Sequence, residues 1–162
     1  MTTKPSIRAA TPTAHDLDLV VPLFDQYRQH FGSPPDEGGA RCFIEDRLRG
    51  GQSAILLALE RDRAVGFVQL YPSFSSLAIA PIWVLNDLFV APAARRRGIG
   101  RALMQAARAH ARDSGAVRII LETGQTNLAA QTLYQALGYR CENDAVRFYA
   151  LPIDGALADD LR

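Results

Sequence analysis

The sequence predicts an α/β (α+β) fold, with a mixed central sheet of about six to seven strands flanked by four helices in the order β-αα-βββ-α-β-α-ββ. Three observations carry this reading. Short apolar runs alternate with segments whose apolar residues recur at helical spacing. Two of the runs are joined by Glu60-Arg61-Asp62-Arg63, a short polar connection of the kind hairpins use. A third run, residues 82–90, enters a Pro-marked loop, then three arginines and Gly-x-Gly, then an Ala/Leu-rich helix.

Ser6-Ile7-Arg8-Ala9-Ala10 reads as the first strand. Thr13-x-x-Asp16 resembles a capping box, and Leu17, Val20, Val21 and Phe24 follow at helical spacing until Gly32-Ser33-Pro34-Pro35 breaks the helix. A second helix over residues 36–49 puts Ala40, Phe43, Ile44 and Leu48 on one face and stops at Gly50-Gly51. Strands are predicted over 54–59, 64–71 and 82–90. The helix over 98–114 turns Ile99, Ala102, Leu103, Ala106 and Ala107 inward and ends at Gly115. Residues 117–122 read as a strand, and 127–137 as a helix with Ala130, Leu133, Tyr134 and Leu137 on one face. Closing strands are expected near 139–141 and over 146–151, while the acidic tail 152–162 has no assignment.

Composition narrows the class. The 162 residues suit one domain, residues 1–162 with a core of about 6–151, and 48% hydrophobic against 22% charged residues argues against disorder. A net charge of +1 supplies no global field for nucleic acid. Cys42 and Cys141 have no metal-type spacing and read as thiols of a reducing compartment; His15, His30 and His110 form no ligand pattern. No metal is therefore expected. Met1-Thr2-Thr3-Lys4-Pro5 lacks the apolar core of a signal peptide, and no run approaches membrane-spanning length. A cytoplasmic protein with neither nucleic-acid nor membrane partners is the expectation.

The chemistry starts at the arginine loop. Backbone N–H groups at a helix start have no intrahelical partner, and the helix dipole adds positive charge there. Glycines let that backbone approach a ligand, and arginines add full charge, so Arg95 to Arg101 suits a pyrophosphate. A Walker loop would need Gly-Lys-Ser/Thr, which is absent, and a dinucleotide fingerprint would need glycine where Leu103 stands. The spacing Arg95-x-x-Gly98-x-Gly100 resembles motif A of the GNAT acetyltransferase superfamily, and the order of elements is also that of the GNAT fold. Residues 121–139, with Asn127, Tyr134 and Leu137-Gly138-Tyr139, look like motif B of the same family.

The resemblance implies acetyl-coenzyme A as cosubstrate. Its pyrophosphate would meet Arg95, Arg96, Arg97, Gly98, Ile99, Gly100 and Arg101. Backbone amides of Leu88, Phe89 and Val90 would meet the pantetheine and the acetyl carbonyl. Asn127 would contact the pantetheine arm, although asparagine also serves simply as a helix cap. Tyr134, two helical turns on, would protonate the departing thiolate, with a packing role as the plainer reading.

An amine with pKa about 10.4 costs on the order of 4–5 kcal/mol to deprotonate at neutral pH, so a proton acceptor is needed. Asn86 and Asp87 are the polar residues of the strand before the loop; strand alternation would let only one face the cleft. Asn86 could orient a water, and Asp87 could act directly or only tie down a loop. On the acceptor side, the resemblance implies Tyr27, Phe31, Trp83 and Asn86. A small polyamine-like amine is favoured, attacking directly in a ternary complex. Transfer to a protein lysine or N-terminus, or a non-catalytic coenzyme A sensor, remain the alternatives. A homodimer built through the closing strands and tail is also expected.

Overall fold

The computed structural model describes residues 5–142, and the chain divides into two compact units, Met1–Thr126 and Asn127–Arg162. In the first unit, β1 (Ser6–Ala9) leads to α1 (Ala14–His30). Thr13 caps α1 as its spacing predicts, its side chain accepting the Asp16 N–H. The Asp16 carboxylate does a different job: it takes the Arg8 guanidinium at 2.5 Å and both the N–H and hydroxyl of Thr11 at 2.7 Å, fastening β1 to α1. α2 (Glu37–Arg49) begins at Asp36, whose carboxylate accepts the Gly39 N–H.

β2 (Ala54–Glu60) and β3 (Arg63–Ser75) are joined by Arg61 and Asp62 at φ of 48° and 63°. Two left-handed residues make the turn whose twist matches its strands. β4 (Ala80–Val90) returns antiparallel to β3. This hairpin is longer than predicted, because its outer end carries Pro72, Pro81 and an exposed Phe74 rather than an apolar alternation. A 3-10 turn at Pro92–Ala94 precedes α3 (Ile99–Asp113), and β5 (Ile119–Ile120) follows.

The sheet order is β1-β2-β3-β4-β5, antiparallel except for the parallel β4–β5 pair. Five strands among the described residues is fewer than expected, for two reasons. β5 pairs with β4 only at Trp83 and Val84, so the strand predicted over 117–122 shrinks to two residues. Residues 139–141 form no strand, and the closing strand over 146–151 and the tail lie outside the described residues.

Cross-strand register shows which face each side chain takes. Ile55, Leu57, Phe67 and Phe89 pack with Val20, Phe24 and Ile44 of the two leading helices. The alternate residues, including Leu56 and its partner Val68, face α3. There Leu103 comes so near Gly66 that a Cβ on that glycine would lie 3.3 Å from it and 2.8 Å from the Phe89 carbonyl. No helix among the described residues is long and apolar enough to cross a membrane.

The second unit contains α4 (Leu128–Ala136). Asn127 caps it, with Oδ1 accepting the Ala130 N–H at 3.2 Å. Gly138, at φ 88°, ends it.

Candidate active site

The arginine loop is held from both sides. Arg95 donates from Nε to the Val90 carbonyl at 3.0 Å, and its guanidinium lies 5.7 Å from the Phe89 ring centroid. Arg97 pairs with Glu60 at 2.8 Å. Arg96, at φ 59°, and Arg101 are exposed and form no ion pair with another described residue. The predicted cluster therefore separates into two arginines that shape the loop and two that offer charge.

Gly98 is the N-cap of α3 at φ 79° and provides no capping side chain, so the first N–H groups of the helix stay available. A left-handed residue followed by helical ones turns successive N–H groups toward a common concavity, which suits an anion. A Cβ at Gly98 would meet nothing within 4 Å. The space in front of these donors is open, and the donor set fits a pyrophosphate.

Leu88, Phe89 and Val90 pair with Val68, Phe67 and Gly66 of β3. Their other edge has no strand partner among the described residues, because β5 leaves β4 after Val84. A splayed edge of this kind leaves backbone groups able to meet a ligand.

A bulge in β4 decides between Asn86 and Asp87. Gln69 pairs with Asp87, but Leu70 pairs with Leu85, so Asn86 is the extra residue. Leu85 consequently faces α3, whereas Asp87 shares the α1/α2 face with Phe67 and Phe89. The strict alternation expected of the strand is broken at this position. Asp87 is 4% exposed and Asn86 is open to solvent.

Three side chains hold the Asp87 carboxylate. Gln69 donates to Oδ2 at 2.6 Å, Asn86 donates to Oδ1 at 2.9 Å, and the Tyr27 hydroxyl bonds it as well. Burial pushes its pKa up, and these hydrogen bonds offset that only in part. Tyr71 has its pKa pushed up to about 12, by burial first and then by the negative Asp87, with Arg47 acting in opposition. Tyr27 also touches Phe31, whose ring lies edge-on at 5.0 Å and is largely exposed.

Residues 20–139 match the model of the acetyltransferase (GNAT) family. The chain belongs to the GNAT family. It is 41% identical over 133 residues to the uncharacterized N-acetyltransferase YhfO of Bacillus subtilis (strain 168), covering 82% of this chain and 89% of that protein. It is 32% identical over 111 residues to a probable acetyltransferase of Haemophilus influenzae (strain ATCC 51907 / DSM 11121 / KW20 / Rd), covering 68% and 76%. The crystal structure of a probable acetyltransferase superposes with a TM-score of 0.83 at 43% identity, over 92% of this chain and 98% of that one. The mixed α/β architecture is thus the GNAT fold, and the protein is an acetyltransferase of a family that uses acetyl-coenzyme A.

Within this GNAT chain, Tyr27, Phe31, Asn86 and Asp87 come together on the α1/α2 face. Trp83 does not join them. Its indole lies 4.9 Å from the His110 ring and donates to Ser114 at 2.8 Å, both at the end of α3. In the second unit, the half-buried Tyr134 has a raised pKa from burial and lies 6.0 Å, centroid to centroid, from Tyr139. A phenol held above its usual range keeps its proton at neutral pH.

Sequence reasoning missed Gln69, Tyr71 and Arg47. Gln69 had a usable signal: like Asp87, it is a polar residue inside an apolar strand. In the fold it is fully buried, and its Oε1 has no partner among the described residues.

Proposed function

We propose that this GNAT enzyme transfers acetyl from acetyl-coenzyme A to the primary amine of a small molecule, by direct attack in a ternary complex. Residues 1–162 act as one transferase domain. The observation that carries this reading is Asp87: a buried carboxylate, set on the acceptor face by a bulge and held by neutral donors, with its pKa raised. A raised carboxylate is a better base than an ordinary one.

In this reading the amine forms a C–N bond to the thioester carbonyl, whose oxygen is met by backbone amides from the free edge at Leu88–Val90. The ammonium proton passes to Asp87, with the Tyr27 hydroxyl as the link from the half-buried side. As the C–S bond breaks, Tyr134 protonates the sulfur. Asn127 binds the pantetheine arm with whatever its cap leaves free, and the N–H groups and arginines at the start of α3 bind the pyrophosphate.

Purified protein supplied with acetyl-coenzyme A and a panel of amines should release free thiol only when an amine is present, with the N-acetyl product seen by mass spectrometry. Tight coenzyme A binding without amine-dependent thiol release would make the protein a coenzyme A sensor instead. A homodimer is proposed too, and sedimentation at micromolar concentration would show it.

A further inference from the structure

The acceptor face carries a cation that the transfer chemistry does not use. Arg47 lies in the last turn of α2. Its Nε donates to Gln52 Oε1 at 2.7 Å, and its guanidinium lies 4.9 Å from the Phe43 ring centroid. The Gln52 N–H bonds back to the Arg47 carbonyl at 2.9 Å. Two residues later Ala54 opens β2 and pairs with Leu70, the neighbour of Tyr71. Arg47 is therefore anchored at the Tyr71 end of β3.

Along that strand Phe67, Gln69 and Tyr71 share one face, and Gln69 is the residue bonded to Asp87. The Tyr71 hydroxyl feels both charges, the Asp87 carboxylate and the Arg47 guanidinium, in opposite senses. The other arginines of α1 and α2 are all neutralised: Arg28 by Asp25, Arg41 by Asp18 and Arg49 by Glu45. Arg47 is half-buried yet has no carboxylate among the described residues.

We propose that Arg47 is an anion subsite for the acceptor, so that the substrate is a small molecule bearing a carboxylate as well as the reactive amine. The amine is directed to Asp87 and the carboxylate to the guanidinium, whose planar fork matches it. This rests on the assignment of the Asp87 face to the acceptor. It turns the expectation away from a polyamine, which would place a second cation against Arg47.

The test is a matched series of amines: 4-aminobutanoate against butylamine, 6-aminohexanoate against hexylamine, and spermidine. In the wild type, at least one amino acid should exceed its alkylamine partner by about tenfold or more in kcat/KM. Arg47→Gln should bring that ratio toward one, and Arg47→Lys should keep most of it. Thermal melting of both variants checks that the fold is intact. Equal or better use of the alkylamines or spermidine by the wild type, or a ratio unmoved in Arg47→Gln, overturns the subsite and leaves acetyl transfer standing. Absence of thiol release with every amine removes the transfer reading, and the subsite with it.

Discussion

At the start of α3 the groups offered to a ligand are backbone N–H groups, set by Gly98 at φ 79° and left uncapped because glycine has no side chain to cap them. Around Asp87, on the face beneath α1 and α2, the contacts come from side chains of three separate segments: Tyr27 from α1, Gln69 from β3 and Asn86 from β4. The first region needs a few residues in a row, and its arginines can be spent on holding the loop, as Arg95 and Arg97 are. The second needs a finished sheet before any of its parts meet. Binding built on backbone tolerates side-chain change, whereas chemistry built on a side-chain network should fail at one residue.

The largest break in that comparison should come from Asp87→Asn. It removes the proposed proton acceptor while keeping shape, so kcat should fall about 10²–10⁴-fold with coenzyme A affinity unchanged. The wild-type rate should rise with pH along an acidic limb. Because burial raises the Asp87 pKa, the midpoint should lie above the ordinary value of about 3.9. The limb should be absent from the residual activity of the variant. A full rate in Asp87→Asn would return the base role to a water held by Asn86.

Next in size is Tyr134→Phe. It keeps the ring and deletes the proton that the thiolate, with pKa about 8.5, would take. A fall in kcat of at least about tenfold is expected, with little change in coenzyme A affinity. Wild-type turnover, with acetyl transfer still rate-limiting, would make Tyr134 a packing residue.

The donor loop should answer to backbone rather than charge. Gly98→Val forces a β-branched residue into a left-handed conformation and fills the open space before the N–H groups. Calorimetry should show coenzyme A binding weakened by about tenfold or more. Arg97→Gln should lose much less, because that arginine is already paired with Glu60. If the arginine change proves the more damaging, the division of the arginines into shaping and binding pairs is mistaken.

The same contrast governs what could be read from the sequence. The Thr13 cap, the polar hairpin connection near 60–63 and the arginine loop are legible because each is decided within a short stretch of chain. Asp87 was found as a polar residue in an apolar strand, but its facing depended on a bulge that no alternation pattern reveals. Gln69 carries the same signal, but its bond to Asp87, like the place of Arg47, is set by register and helix packing. Trp83, expected on the acceptor side, sits with His110 and Ser114 because its parity in β4 is opposite to that of Val84, the partner of Tyr71.

The smallest effects set Asp87 against Asp25, an equally buried carboxylate at 3% exposure. Asp25 accepts the Asp36 N–H at 3.0 Å, the Gln29 amide at 2.8 Å and the Arg28 guanidinium at 2.8 Å, so its pKa is lowered. Its stabilising contribution is present above the unfolded value near 3.9 and is lost as pH falls through the depressed folded value. Asp87 has the opposite sign. Its contribution is complete below the unfolded value and declines as pH rises through the raised folded value, so its charge costs stability at neutral pH. Asp25→Asn should therefore melt lower at pH 7, by about 3–6 °C for the loss of one or two charged hydrogen bonds. Asp87→Asn should melt at or above the wild type: Gln69 can turn its unpartnered Oε1 toward the new amide, and no charge is left to bury. Lowering the pH toward 4 should close the gap for Asp87→Asn, since the wild type then sheds the costly charge. A destabilised Asp87→Asn would mean that this carboxylate, like Asp25, is kept for the fold, and the proton acceptor would have to be sought elsewhere.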